Sequence, residues 1–126
     1  MKEKRQKGQS IITLLIFVLM GITITTFATL IIATNSLSTA KLQQGIIARQ
    51  LADSGAENAL INLLRNDNYP GEQFNIGDDM VVATVSGTTT KIIRSQGKSG
   101  DFIRVVEVYA TYVNNKLTIT SWKEIY

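Results

Sequence analysis

The chain has no cysteine and no histidine, and a single proline, Pro70, in 126 residues. Without cysteine there is no disulfide framework, and the redox compartment cannot be read from thiol usage. There is also no glycine-rich phosphate loop after a strand and no pair of carboxylates in a cleft-like pattern, so the usual constellations of a catalytic site are missing. The expectation is a chain that is not an enzyme and carries no cofactor. Charge is the most telling absence. From Gly8 to Ala40 no side chain is ionisable, and the next charge is Lys41. The hydrocarbon core of a bilayer takes about 20 apolar residues as helix, so Ile11 to Ala33 is long enough to span it with some tilt.

Ahead of that stretch lies a short basic leader ending in glycine, Lys2 to Gly8 (KEKRQKG). The whole chain is +3, and Lys2, Lys4, Arg5 and Lys7 against Glu3 account for all of it; from Gln9 onward nine basic residues face nine acidic ones. The basic excess is therefore a topology signal. Positive residues hold the N-terminus in the cytoplasm and send everything after Ala40 to the other side. Lys91, Arg94, Lys98 and Arg104 cluster loosely along the sequence, and a nucleic-acid site would need such a patch. With the charges balanced they read as scattered surface residues, and a nucleic-acid partner is not expected. An ordinary secretory signal has a shorter apolar run, about 7 to 15 residues, and Ser38-Thr39-Ala40 comes too late to serve as its cleavage site.

Helical character continues past Lys41. Ile47, Leu51, Gly55, Ala59 and Leu63 recur every fourth residue, with Ala48, Ala52, Ala56, Leu60 and Leu64 beside them. Arg49, Asp53, Glu57, Asn58, Asn62 and Arg65 fall on the other side, and Arg49 with Asp53 makes an i, i+4 pair. No proline interrupts Ser10 to Arg65, so the spacing predicts one helix of about 84 Å at the standard rise. Gly21 and Gly45 are either bends, close approaches of another helix, or tolerated glycines. Thr23, Thr25, Thr26 and Thr29 either return their hydroxyls to carbonyls one turn back or bond a neighbouring helix.

From Asn66 the texture changes. Asn66 to Asp79 (NDNYPGEQFNIGDD) reads as a polar connecting loop. Its Asp67, Glu72, Asp78 and Asp79 are weak calcium candidates; their spacing matches no EF-hand, and a solvated loop is the expected reading, with no metal site. Four β-rich runs follow: Met80 to Val85, Thr88 to Ser95, Phe102 to Val113 and Lys116 to Trp122. Ser86-Gly87 and Asn114-Asn115 are tight-hairpin connections, and Gln96 to Asp101 joins the hairpins. On the third run Phe102, Val106, Val108, Ala110 and Tyr112 share one face, and Glu107, Tyr109 and Thr111 the other. Trp122 and Tyr126 read as sheet cover. The expected fold is α+β: a long N-terminal helix, transmembrane and then amphipathic, packed on a small four-stranded antiparallel sheet. Its parts are a leader (1–8), a membrane half of the helix (9–40), an amphipathic half (41–65) and a loop-and-sheet head (66–126).

In this order the elements resemble the type IV pilin-like proteins, which include pilins, minor pilins and the pseudopilins of type II secretion. The leader ending at Gly8 carries part of the likeness. The stretch Arg49-Gln50-Leu51-Ala52-Asp53-Ser54-Gly55-Ala56-Glu57-Asn58-Ala59 is similar to the segment that follows the membrane span in PilX-like minor pilins. The resemblance implies that a prepilin peptidase cuts between Gly8 and Gln9 and methylates Gln9. It also implies that the freed helix leaves lipid and packs with other pilin-like subunits, through an inner-membrane assembly platform, into a filament outside the cell.

Two positions depart from the family pattern. Major pilins carry a glutamate at the fifth residue after the cut, which can pair with a neighbour's N-terminal amine; here that position is Thr13. The resemblance then implies a minor subunit at the tip or in a priming position. Gln9 stands where phenylalanine or methionine is usual. A secretion pseudopilin shares every one of these features, and a single-span anchor that displays a binding module and is never cleaved is the alternative from another class.

Overall fold

The computed structural model describes residues 2–126, with side chains from Gly8 onward. The side chains of leader residues 1–7, on which the topology signal rests, lie outside the described residues. The element order is α1 (Lys2–Arg65), β1 (Gly71–Ile76), β2 (Asp79–Ser86), β3 (Thr90–Ser99), β4 (Phe102–Val113) and β5 (Lys116–Ile125). The strands form one antiparallel sheet in the order β1-β2-β3-β4-β5, a simple meander. The fold is α+β, and the chain divides into two compact units, Met1–Ala40 and Lys41–Tyr126.

The first unit is helix alone. It is long and apolar enough to cross a membrane, and none of its apolar stretch is buried within the protein. Many of its residues are β-branched and poor helix formers in water, but in lipid a helix is the way for a single segment to satisfy every backbone group. The threonine hydroxyls turn back onto their own helix. Thr23 donates to the Met20 carbonyl, Thr25 to Gly21, Thr26 to Ile22 and Thr29 to Thr25, all at 2.8–2.9 Å. Each hydroxyl proton thus has an acceptor within its own helix. A side chain at Gly21 would meet nothing within 4 Å in this chain.

In the second unit, residues 41–65 of α1 lie on the sheet through a face made mostly of alanine. Ala48, Ala52, Ala56, Ala59 and Leu63 are buried, with Leu51 and Leu60 at the margins. Opposite them stand Val81 and Ala83 of β2, Ile93 of β3, and Val106, Val108 and Ala110 of β4. This is the expected helix-facing side of β4, and Phe102 and Tyr112 extend it half-buried. Leu64, expected in the apolar stripe, is 57% exposed. The contact is centred on the alanines, and Leu64 sits about 100° round the helix from Leu63, beyond the reach of the sheet.

The sheet has five strands where four were expected. β1 lies in the segment read as loop, paired from Gly71↔Thr84 to Ile76↔Asp79. Its sequence, GEQFNI, is polar because it is an edge strand, so hydropathy does not betray it. β3 likewise runs on to Ser99, which shortens the expected Gln96 to Asp101 connection to Gly100 and Asp101. Gly97 and Ser99 face the helix without an apolar side chain, so alternation disappears just where the strand is buried. Between β2 and β3 three residues intervene, so the strand starts at Thr90 and not at Thr88. Asn114 and Asn115 form a two-residue turn with φ of 53° and 59°, the left-handed geometry that asparagine tolerates in hairpins. β5 continues past Trp122 to Ile125, with a bulge opposite Tyr109 and Ala110.

Candidate functional site

The residues singled out near the N-terminus lie on an open helical surface. A side chain at Gly8 would meet nothing within 4 Å. Gln9 is exposed, and its carbonyl accepts a hydrogen bond from Thr13 Oγ1 at 2.9 Å. Thr13 stands one turn beyond Gln9 on the same face. It spends its proton on the helix and brings no charge to the position. Around it the large apolar side chains from Ile11 to Ile32 are between 50% and 76% exposed. Such a surface is suited to an apolar environment, and the helix is long and apolar enough to cross a membrane.

The second site is the joint between helix and sheet, and it falls on the stretch that carries the PilX-like resemblance. Leu51, Ala52, Gly55, Ala56 and Ala59 of that stretch are buried in the joint. A Cβ added to Gly97 of β3 would lie 2.1 Å from the Ala48 carbonyl oxygen and 2.5 Å from the Ala52 nitrogen, so the strand backbone approaches the helix backbone directly. At Gly55 a Cβ would lie 2.2 Å from Ser95 Oγ and 2.5 Å from Val81 Cγ1. Gly45 is different, since its Cβ would meet Phe102 at an ordinary 3.7 Å. Its near neighbour within the chain is the start of β4. The small residues set how closely the two layers sit.

Polar groups fasten the rim of the joint. Trp122 Nε1 donates to Asp53 Oδ1 at 3.0 Å, and Glu124 lies 3.7 Å from Arg49 and 3.3 Å from Arg104. Arg49 also reaches Asp53 at 4.0 Å, the pair expected from the spacing. On the opposite rim Asn58 donates to Glu72 of β1. Trp122 therefore acts as cover and fastener together. Tyr126, also read as cover, is fully exposed, with the Arg104 guanidinium 5.7 Å from its ring. Nothing in the spacing of these residues announces the contact of Asp53 with a tryptophan on the last strand.

The loosely grouped basic residues do not form one patch. Lys91 is buried on the helix side of β3 and binds both the carboxylate and the carbonyl of Asp67, at 2.9 and 2.8 Å. It thereby ties the loop after the helix to the sheet. Arg94 lies on the outer face, 2.8 Å from Glu107. Arg104 turns to the helix side, while Lys98 shares the outer face with Arg94. Glu107 is 6% exposed on that outer face. Hydrogen bonds from Arg94 and Tyr109, with Lys123 nearby, hold its carboxyl below the usual range against the effect of burial.

The acidic calcium candidates are dispersed. Asp67 is taken by Lys91, Glu72 by Asn58, and Asp78 and Asp79 sit at the β1–β2 turn. Among the described residues no three acidic side chains gather into a metal-binding group. The Tyr69 hydroxyl is buried beside Glu72 with no hydrogen-bond partner among the described residues, and burial, then the carboxylate, pushes its pKa up. Comparison with family models, curated proteins and solved structures finds no match to this chain.

Proposed function

We propose that this chain is a minor pilin-like structural subunit, cut by a prepilin peptidase between Gly8 and Gln9 and assembled into a type IV pilus or a related filament. The observation that carries the reading is one uninterrupted helix, Lys2–Arg65, with two kinds of surface. Its first part is apolar and open over its whole circumference, as a helix must be that exchanges lipid for other helices. Its second part is cemented to an antiparallel sheet by a narrow face of alanine and glycine. Before cleavage the basic leader pins the N-terminus in the cytoplasm and the chain is a single-pass membrane protein with its head outside. Cleavage removes those charges and frees the helix for the assembly platform and for neighbouring subunits.

Thr13 supports a tip or priming position. With no carboxylate there, the subunit offers no counter-charge to an amine in an apolar core, which suits a place where fewer neighbours must be met. Thr13→Glu is expected to raise the share of this subunit along the filament shaft. A wild-type chain that proved the most abundant subunit of sheared filaments, with Thr13→Glu leaving filament number unchanged, would refute the tip position.

The cleavage reading is tested by expressing the full chain with and without a prepilin peptidase and measuring the intact mass of the membrane fraction. A product beginning at Gln9 only with the peptidase is expected. A chain that retains its leader in both cases would favour a permanent membrane anchor displaying the sheet as a binding module.

A further inference from the structure

We infer that Gln9 is a modification site, and that after cleavage it closes on itself to pyroglutamate, leaving the helix with an uncharged N-terminus. The inference rests on the cleavage reading above. Cutting at Gly8 would give Gln9 an α-ammonium group, and no acidic side chain follows it until Asp53. The helix therefore carries no counter-ion for that charge anywhere along its charge-free stretch. Thr13 sits one turn away, but its proton is spent on the Gln9 carbonyl at 2.9 Å, and a hydroxyl cannot neutralise an ammonium. The surroundings are Ile11, Ile12 and Leu14, all more than half exposed and suited to an apolar medium. A positive charge there is disfavoured twice, by desolvation and by the positive end of the helix dipole.

Glutamine removes the charge by its own chemistry. The neutral α-amine attacks the side-chain Cδ, the new N–Cδ bond closes a lactam ring, and the Cδ–Nε2 bond breaks. One amine proton passes to the departing Nε2, which leaves as ammonia. The ammonia takes up the proton that the α-ammonium released on becoming the neutral amine, so the charge departs as ammonium. No electrons change hands and no co-reactant is needed. The Gln9 side chain is exposed in the structure, so no packing holds the carboxamide away from the amine. In the uncut chain the same nitrogen is an amide bonded to Gly8 and cannot react. The ring thus forms only on the processed chain, where it competes with methylation for the same amine.

The test is made on the full chain coexpressed with a prepilin peptidase. Membranes are treated with an amine-reactive label before digestion, which separates a ring formed in the cell from one formed during handling. Trypsin has no site between Gln9 and Lys41. Chymotryptic N-terminal peptides are therefore sequenced by mass spectrometry. The expected product begins at Gln9, is lighter by one ammonia than the open form, and takes no label, whereas Gln9→Ala processed in parallel takes the label. A Gln9 amine that is labelled or methylated would overturn the inference and leave the cleavage reading standing. A peptide still running through Gly8, with the peptidase present, would overturn both.

Discussion

Gly97→Ala isolates the close approach of helix and sheet, because this residue sits in an ordinary strand conformation and the substitution carries no backbone strain of its own. The added methyl would lie 2.1 Å from the Ala48 carbonyl oxygen, 2.5 Å from the Ala52 nitrogen and 2.8 Å from Leu51 Cβ. Two of these are backbone atoms of a regular helix, and no rotamer change can move them. Relief requires the helix to shift by about 1 Å, which loosens the alanine contacts on either side; overpacking of this kind costs roughly 3 kcal/mol or more. For a domain of this size that is a fall in Tm of about 12–20 °C. The assay is thermal unfolding of the full chain in detergent, followed by fluorescence of Trp122, the single tryptophan, which sits on the joint. Gly45→Ala serves as the control, because its methyl finds Phe102 at 3.7 Å; it should be neutral or stabilise by up to about 1 kcal/mol through helix propensity. Gly55→Ala should also destabilise, but its clashes are with the side chains of Ser95 and Val81. Trimming both to alanine should restore part of the loss there, while Ala48→Gly should restore nothing to Gly97→Ala. A Gly97→Ala chain that melted with the wild type would refute the reasoning.

Lys91→Met leaves Asp67 without its partner and frees the loop after the helix; because Asp67 is half exposed and can rehydrate, the expected loss is about 1–3 kcal/mol, read by chemical denaturation. Trp122→Phe keeps the ring and removes the bond to Asp53, and the same denaturation, followed by circular dichroism, should show a loss of about 1 kcal/mol. The carboxyl of Glu107 has a folded-state pKa below its unfolded one, so its contribution is complete above the ordinary glutamate value of about 4.3 and is lost as pH falls through the folded value. The stability advantage of wild type over Glu107→Gln, measured across an acid titration, should therefore shrink only below that range; an advantage constant down to the acid limit would count against the ionic cluster with Arg94 and Lys123.

How much of this was legible in the sequence depends on whether the signal is local. The charge-free stretch, the amphipathic continuation without proline and the Asn114-Asn115 turn each express the physics of neighbouring residues, so the long helix, its membrane-length segment and the last hairpin follow from the sequence by itself. The helix-facing side of β4 follows too, because alternation of apolar residues reports burial on one face. The first strand and the end of β3 were hidden. GEQFNI lies on an edge where polar residues are tolerated, and the buried side of β3 ends in Gly97 and Ser99, whose smallness has meaning only once a helix backbone lies against it. Gln9 and Thr13 could be named from their positions, and the structure adds the bond between them. The fasteners could not be named as such: Asp53 meets Trp122 and Lys91 meets Asp67 across gaps of 69 and 24 residues. No periodicity spans such distances. Those partners were decided by tertiary structure alone, when close packing brought one face of the helix and the strands it covers to backbone contact.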